Sequence, residues 1–278
     1  MGSGRGRRFP AWVVVMTALV VLAAASPALV ASRPANQIPI EDVSSDATPQ
    51  EPTAERWETV PAVTVPLSSA PSGLPSADSV SVERMSVQAA RTESRLFLRL
   101  SWTDPTADRN STTPRAFADA VAVQLPVNTS VRPAIAMGST RNRVNVWYWS
   151  ADTGTEELLA GGAGTTTRFE ETTVRTRTTH DDGRWTVVLS RELRPDGANR
   201  TTIRGEHDVD VAFAVWNGSN MERSGHKSVS EWYHLPFGPG PQGPPYETIL
   251  WTVAGLAIVG VALVTISAVR NTGGQGDR

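Results

Sequence analysis

Between residues 77 and 235, apolar and polar side chains alternate with a period of two in one short stretch after another. Leu96, Leu98, Leu100 and Trp102 alternate with polar neighbours. So do Val121, Val123 and Leu125; then Val144, Val146 and Tyr148; then Trp185, Val187 and Leu189; then Val209, Val211, Phe213 and Val215. Successive side chains of a strand point to opposite faces, so this pattern predicts strands that turn one face to a core. Asp181-Asp182-Gly183 lies between two such runs and reads as a hairpin turn. Outside the two termini no window has helical periodicity. The expected fold is all-β, an antiparallel β-sandwich over residues 77–235, presented as an ectodomain on a C-terminal transmembrane helix.

The ends follow other patterns. Arg5, Arg7 and Arg8 precede an apolar run from Ala11 to Ala25, and small residues follow it. That order predicts a secretory signal peptide over residues 1–31. Arg7-Arg8-Phe9 suits a twin-arginine export signal as well as ordinary export. Residues 248–269 carry no charge, and a bilayer core needs about 20 apolar residues as a helix. Tyr246 and Trp251 stand at the entering end and Arg270 at the exit, which predicts a single pass in the cell membrane with the preceding domain extracytoplasmic and a cytoplasmic tail at 270–278. Two stretches rich in proline read as connectors: a Pro/Ser/Thr-rich linker or arm at 32–76, with Trp57 as its large anchor, and a Pro/Gly linker at 236–247.

Composition narrows the chemistry. The formal net charge is −2, which gives no broad basic face for nucleic acid. Cysteine is absent, and with it disulfides, thiolate metal sites, cysteine-ligated iron–sulfur clusters and covalent c-type haem. No nucleophile elbow, helical metal-ligand pair or phosphate loop occurs. Gly161-Gly162-Ala163-Gly164 reads as a flexible turn. His180, His207, His226 and His234 are scattered, and the carboxylates sit at turns and strand edges as a solvated face would. No catalytic constellation is present.

Two stretches remain. Met137-Gly138 precedes Val144-Asn145-Val146-Trp147-Tyr148-Trp149, and Lys227 lies between Trp216 and Trp232. Lys227 is the sole lysine in the chain, among 26 basic residues. A methionine thioether is either a core gap-filler or a soft ligand for iron. A lysine amine ligates metal only when neutral, so a ligating Lys227 needs desolvation or the metal itself to lose its proton; the alternative is a surface salt bridge.

At these residues the sequence resembles the haem b-binding γ subunits of the type II dimethyl sulfoxide reductase class, typified by ethylbenzene dehydrogenase. The resemblance runs in order through Asp119–Pro126, Ala136-Met137-Gly138, residues 144–149, residues 183–188, Phe213–Ser219, Glu222-Arg223, Lys227–Ser230 and Trp232-Tyr233. It implies a β-sandwich holding one non-covalent haem b between an axial methionine and an axial lysine, here Met137 and Lys227. On the same resemblance Trp147, Trp149 and Trp216 wall the porphyrin, Asn217 lies within the haem motif, and Arg223 pairs with a propionate. His226, beside Lys227, is a rival ligand. The implied function is electron transfer to or from a complex with a molybdenum catalytic subunit and an iron–sulfur subunit. Members of that family are soluble subunits, so the C-terminal apolar run is a departure.

Two other classes compete: a carbohydrate-binding module stacking sugars on Trp147 and Trp149, and a structural surface module without haem. Four Asn-x-Ser/Thr sequons, at Asn110, Asn128, Asn199 and Asn217, suit an extracellular surface.

Overall fold

The computed structural model describes residues 36–44, 49–71 and 78–238, together with Gly255 and Gly260, which are helical. The predicted signal peptide at 1–31, the transmembrane stretch at 248–269, the tail at 270–278 and most of the 236–247 linker lie outside the described residues. Among the described residues no helix is long and apolar enough to cross a membrane.

The described strands are β1 (Ile40–Asp42), β2 (Ala62–Pro66), β3 (Ser68–Ser69), β4 (Arg84–Arg91), β5 (Arg95–Thr103), β6 (Ala120–Pro126) and β7 (Val144–Ser150). They continue with β8 (Gly154–Ala160), β9 (Thr167–Arg168), β10 (Arg175–Asp181), β11 (Arg184–Glu192), β12 (Val209–Trp216), β13 (Ser228–Val229) and β14 (Tyr233–Leu235). All belong to the unit spanning Ala35–Gly240. They form two sheets. A 6-stranded sheet runs β1-β4-β5-β11-β10, with β2 also on β4; an 8-stranded sheet runs β3-β13-β12-β6-β7-β8-β9, with β14 also on β12. Every pairing is antiparallel except β1 on β4.

The core is built from one face of each sheet, as the alternation requires. Leu96, Leu98, Leu100 and Trp102 of β5 and Trp185, Val187 and Leu189 of β11 meet Val121, Val123 and Leu125 of β6 and Val209, Val211, Phe213 and Val215 of β12. The Asp182-Gly183 hairpin forms as read: Asp181 pairs with Arg184, and both loop residues have positive φ, 48° and 67°.

Two sequence readings need correction. The stretch 36–71 is not a separate linker but part of the sandwich, supplying β1, β2 and β3. Trp57 is 3 % exposed and packs with Val43, Val60, Ala90, Phe97 and Val188 against the outer face of the 6-stranded sheet. Gln88 Nε2 donates to the carbonyls of Trp57 and Val60, at 2.7 Å each, and so ties this arm down. Leu235 and Phe237 also enter the core, so the domain runs past residue 235. The second correction concerns β7. Val144, Val146 and Tyr148 were expected to face the core. Instead Trp147 and Trp149 do, and the valines and tyrosine pack on the outer face. Both faces of β7 are apolar, so alternation alone carries no sign there.

Candidate functional site

The outer face of the 8-stranded sheet is where a solvated sheet would be polar, and here it is apolar. Ala122 of β6, Ala212 of β12, Val144 and Val146 of β7, Ala160 and Trp232 form a buried cluster. Ile135, Met137, Tyr148, Leu158, Ala214 and Trp216 pack against it. The register explains the grouping, because Ala212 pairs with Gln124, Ala214 with Ala122, and Ala122 with Tyr148. The three alanines are small, and Ala122 and Ala212 are buried beneath the larger side chains packed on this face. Tyr148 and Trp216 meet edge to face at 5.7 Å.

Met137 is presented to this face by a strained loop. Its φ is 64°, in the left-handed region that costs a non-glycine residue on the order of 1–2 kcal/mol. Three backbone bonds hold it there: Met137 N to Ile135 O at 2.8 Å, Gly138 N to Ala134 O at 2.9 Å, and Gly162 N to Met137 O at 2.9 Å. The last gives the glycine-rich 161–164 turn a positioning role. Gly138 has φ 75°, and a Cβ there would stand 2.6 Å from Asn142 O, so no other residue fits. The other methionine near the site, Met221, is 45 % exposed.

Lys227 sits beside Trp216, its Nζ 4.9 Å from the ring centroid. Burial lowers its pKa, and among the described residues no carboxylate pairs with it. A half-buried amine with no counter-ion is unusual, since desolvated charges are otherwise paired. The loop between Trp216 and Lys227 is fixed by two buried carboxylates. Asp119 accepts from Gly218 N at 2.8 Å, Trp185 Nε1 at 2.9 Å and Asp108 N at 2.7 Å. Glu222 accepts from Asn217 N at 3.0 Å and Ser81 N at 2.9 Å. Burial pushes the Asp119 carboxyl up to about 6, against the pull of the Gly218 and Trp185 N–H groups and with nearby Asp104 adding to the rise. Gly218 itself is packed so closely that a Cβ would meet Phe117 O at 1.9 Å.

Of the residues singled out in the sequence, Met137 and Trp216 share this face, and Lys227 lies against Trp216. Trp147 and Trp149 do not: their side chains lie in the core, 0 % and 6 % exposed, on the other side of the sheet. Trp147 stacks under Arg191 at 4.7 Å, and Trp149 meets Trp185 edge to face at 5.0 Å. Neither can wall a ligand on the outer face, nor stack a sugar in solvent. Asn217 is a local cap, its side chain accepting from Asn220 N at 3.2 Å and Ser219 Oγ at 2.6 Å. Arg223 lies over the Phe117 ring at 4.6 Å. His226 turns its ring to Ser79 O at 3.1 Å. Tyr148, Trp232 and the three alanines were missed. Their signal was present in β6 and β12, where the non-core positions read alanine instead of a polar residue.

This arrangement offers an apolar cluster on the outer side of the sheet, a thioether packed against it and a desolvated amine. It offers no protein metal cluster: among the described residues no group of three or more His, Cys, Asp or Glu is placed to hold an ion. Two cavities, of ≈500 Å³ beside β2 and ≈420 Å³ around Arg91, are lined by neither Met137 nor Lys227.

The ethylbenzene dehydrogenase family model matches residues 54–173 and 168–228, a span that takes in both Met137 and Lys227. The chain belongs to this family. It is 67 % identical over 262 residues to a chain of Haloferax mediterranei named as a respiratory nitrate reductase heme subunit, covering 94 % of this chain and 95 % of that one. It is 37 % identical over 188 residues to the chlorate reductase subunit gamma of Ideonella dechloratans, covering 67 % and 79 %. With the dimethylsulfide dehydrogenase subunit gamma of Rhodovulum sulfidophilum it shares 34 % over 195 residues, covering 66 % and 73 %. Among solved structures, a family 9 carbohydrate-binding module from Caldicellulosiruptor kristjanssonii in complex with glucose overlaps 75 % of this chain and 100 % of that chain, at 12 % identity and a TM-score of 0.44. That overlap is too loose to bear on ligands.

Proposed function

We propose that this chain is the haem b subunit of a molybdenum oxidoreductase complex, exported and held at the membrane by residues 248–269. It is an electron-transfer subunit rather than a catalytic one, working beside a molybdenum catalytic subunit and an iron–sulfur subunit. Its relatives are named as a heme subunit or as gamma subunits of reductases and a dehydrogenase.

The observation that carries the haem reading is Lys227, a half-buried amine without an ion pair at the edge of an outward-facing apolar surface. The residues present fit the group. Ala122, Ala212 and Ala214 are the small side chains of this cluster, and a macrocycle seated over them would take the place of side chains that now cover them, with Tyr148, Trp216 and Trp232 as aromatic neighbours. Met137 supplies a soft sulfur, and Lys227 an amine whose pKa burial lowers. Among the described residues Trp232 Nε1 is buried without a partner, a donor that an acceptor on a ligand would satisfy. Arg223 and Lys227 are the two cations of this loop, and Arg223 is exposed and within reach of a carboxylate by leaving Phe117.

Haem, when bound, supplies a single-electron reservoir. The chain does the rest. The strained Met137 loop holds the thioether in place without waiting for the ligand. The Asp119 and Glu222 bonds fix the start of the loop that leads to Lys227, which would hold the amine beside the group. The apolar floor excludes water, and thioether ligation favours a raised potential.

The test is a reduced-minus-oxidised spectrum and a haem assay on the purified full chain, then on Lys227→Ala and Met137→Ala. Near-stoichiometric b-type haem in the parent, with loss or an altered ligand spectrum in each variant, is expected. An unchanged spectrum in Lys227→Ala removes the lysine, and a folded, colourless parent that refuses haem removes the cytochrome.

A further inference from the structure

We propose that Asn110 is an acceptor for an N-linked glycan, a modification of this domain after export. The inference rests on the export proposed above. The four sequons look equivalent in the sequence, and the structure separates them. Asn217 is 5 % exposed, and its carboxamide oxygen is occupied in capping the turn ahead of Lys227. Asn199 sits at φ 66°, half-buried, its oxygen accepting from Arg143 at 2.7 Å. Asn128 is exposed, but its oxygen closes a tight turn on Ser130 N at 3.1 Å, immediately after β6.

Asn110 differs from all three. Every residue from Arg109 to Arg115 is exposed and outside regular structure, so a transferase could take an extended stretch of chain without opening the sandwich. The third position of the sequon is Thr112, whose hydroxyl donates to the Asn110 side-chain oxygen at 3.2 Å. Among the described residues no hydrogen bond uses the Asn110 amide nitrogen, the atom that reacts; the same holds for the other three, and the exposed stretch around Asn110 is what sets it apart. Within the loop Ser111 donates to Asp152 and Arg109 lies over the Trp185 ring at 4.8 Å, and beyond it Asp119 accepts from Gly218 N; residues 109–115 belong to no strand.

The reaction is a substitution with no redox change. The amide nitrogen of Asn110 forms a bond to the anomeric carbon of an oligosaccharide carried on a lipid phosphate. The bond from that carbon to the phosphate oxygen breaks, the lipid phosphate leaves, and the amide proton passes to a base of the transferase. The donor is a polyprenyl-phosphate-linked sugar, and the product is hydrophilic bulk on the loop that joins the two sheets.

Peptide mass mapping of the full chain, recovered from membranes of its native host, tests this. The peptide bearing Asn110 should carry a glycan mass that Thr112→Ala abolishes, while the peptide bearing Asn217 stays bare. A mature chain cleaved near residue 31 with an unmodified Asn110 overturns the proposal, as does a glycan at Asn217 or Asn199 in its place. A chain retained in the cytoplasm with residues 1–31 intact would instead show that the export reading has failed. Because the parent chain decides the matter, the proposal remains testable even if Thr112→Ala does not fold.

Discussion

Gly218 shows how little freedom the site has at the level of one residue. A Cβ there would lie 1.9 Å from a backbone oxygen, which cannot give way as a flexible side-chain tip would. Gly218→Ala should therefore cost on the order of 1–3 kcal/mol, in the range of overpacking, and should also lower haem content, because the loop it moves leads to Lys227. Denaturant titration beside a haem assay checks both. Lys227 adds a pH dependence. Its folded amine has a lowered pKa, so the neutral, ligating form gains as pH rises. Haem uptake by the apo-chain should strengthen with rising pH and weaken on acidification, and the Lys227→Ala chain should lose that dependence. The proposal of Met137 and Lys227 comes from the sequence, through the order of the family motifs and the lone lysine. Arg223, Asn217, Trp147 and Trp149 were placed by the same resemblance, but what each contacts depends on side-chain direction, which the motif order does not carry.

At the level of elements, the two sheets use their outer faces differently. The 6-stranded sheet covers its outer face with its own chain, through Trp57 and the arm around it. The 8-stranded sheet carries an apolar cluster with small alanines and large aromatics. The two faces should separate cleanly in mutants. Trp57→Ala should destabilise the domain by about 3–5 kcal/mol, as large-to-small changes at buried aromatics do, with haem per folded chain unchanged. Ala214→Leu should do the reverse, filling the floor on a partly exposed surface with little loss of stability and a marked loss of haem. Thermal melts and haem stoichiometry on the same two variants are the check. β7 is the element that the sequence misassigned. Val144, Val146 and Tyr148 alternate as well as Trp147 and Trp149 do, and a period of two has no direction when both faces are apolar.

Across the whole molecule, the far end of the core is closed by a buried ionic group. Arg191 and Glu157 pair at 3.1 Å with side chains 0 % exposed, and Arg200 adds a second bond to Glu157 at 3.0 Å. Burial works to raise the Glu157 pKa, but hydrogen bonds from Thr173, Arg200 and Asn145 outweigh it and the net shift is down. Burial lowers Arg191 to about 10, still charged at neutral pH. Glu157→Gln would strand that charge, and about 3–5 kcal/mol of stability should go with it. The two shifted carboxyls have opposite signs in the pH profile. Glu157, depressed, contributes stability above the unfolded value of about 4.3 that is lost as pH falls through its folded pKa. Asp119, raised to about 6, binds its proton more readily when folded, so its share of stability rises as pH falls from about 6 to about 4. Urea titrations across pH 3–7 should show a maximum on the acid side of neutral, and in Asp119→Asn the rise between about 6 and 4 should vanish.

By itself the sequence determined the family, the all-β class, most strand positions and the hairpin at Asp182-Gly183. These are local or ordered signals: a period of two, a turn dipeptide, motifs in sequence. The tertiary structure alone decided which face of each strand is covered. That assigned Trp147 and Trp149 to the core and Tyr148, Trp232 and the alanines to the outer floor, and it built residues 36–71 into the sandwich. The reason is physical: alternation says that two faces exist, whereas burial depends on which neighbour lies opposite, and that neighbour comes from a distant part of the chain.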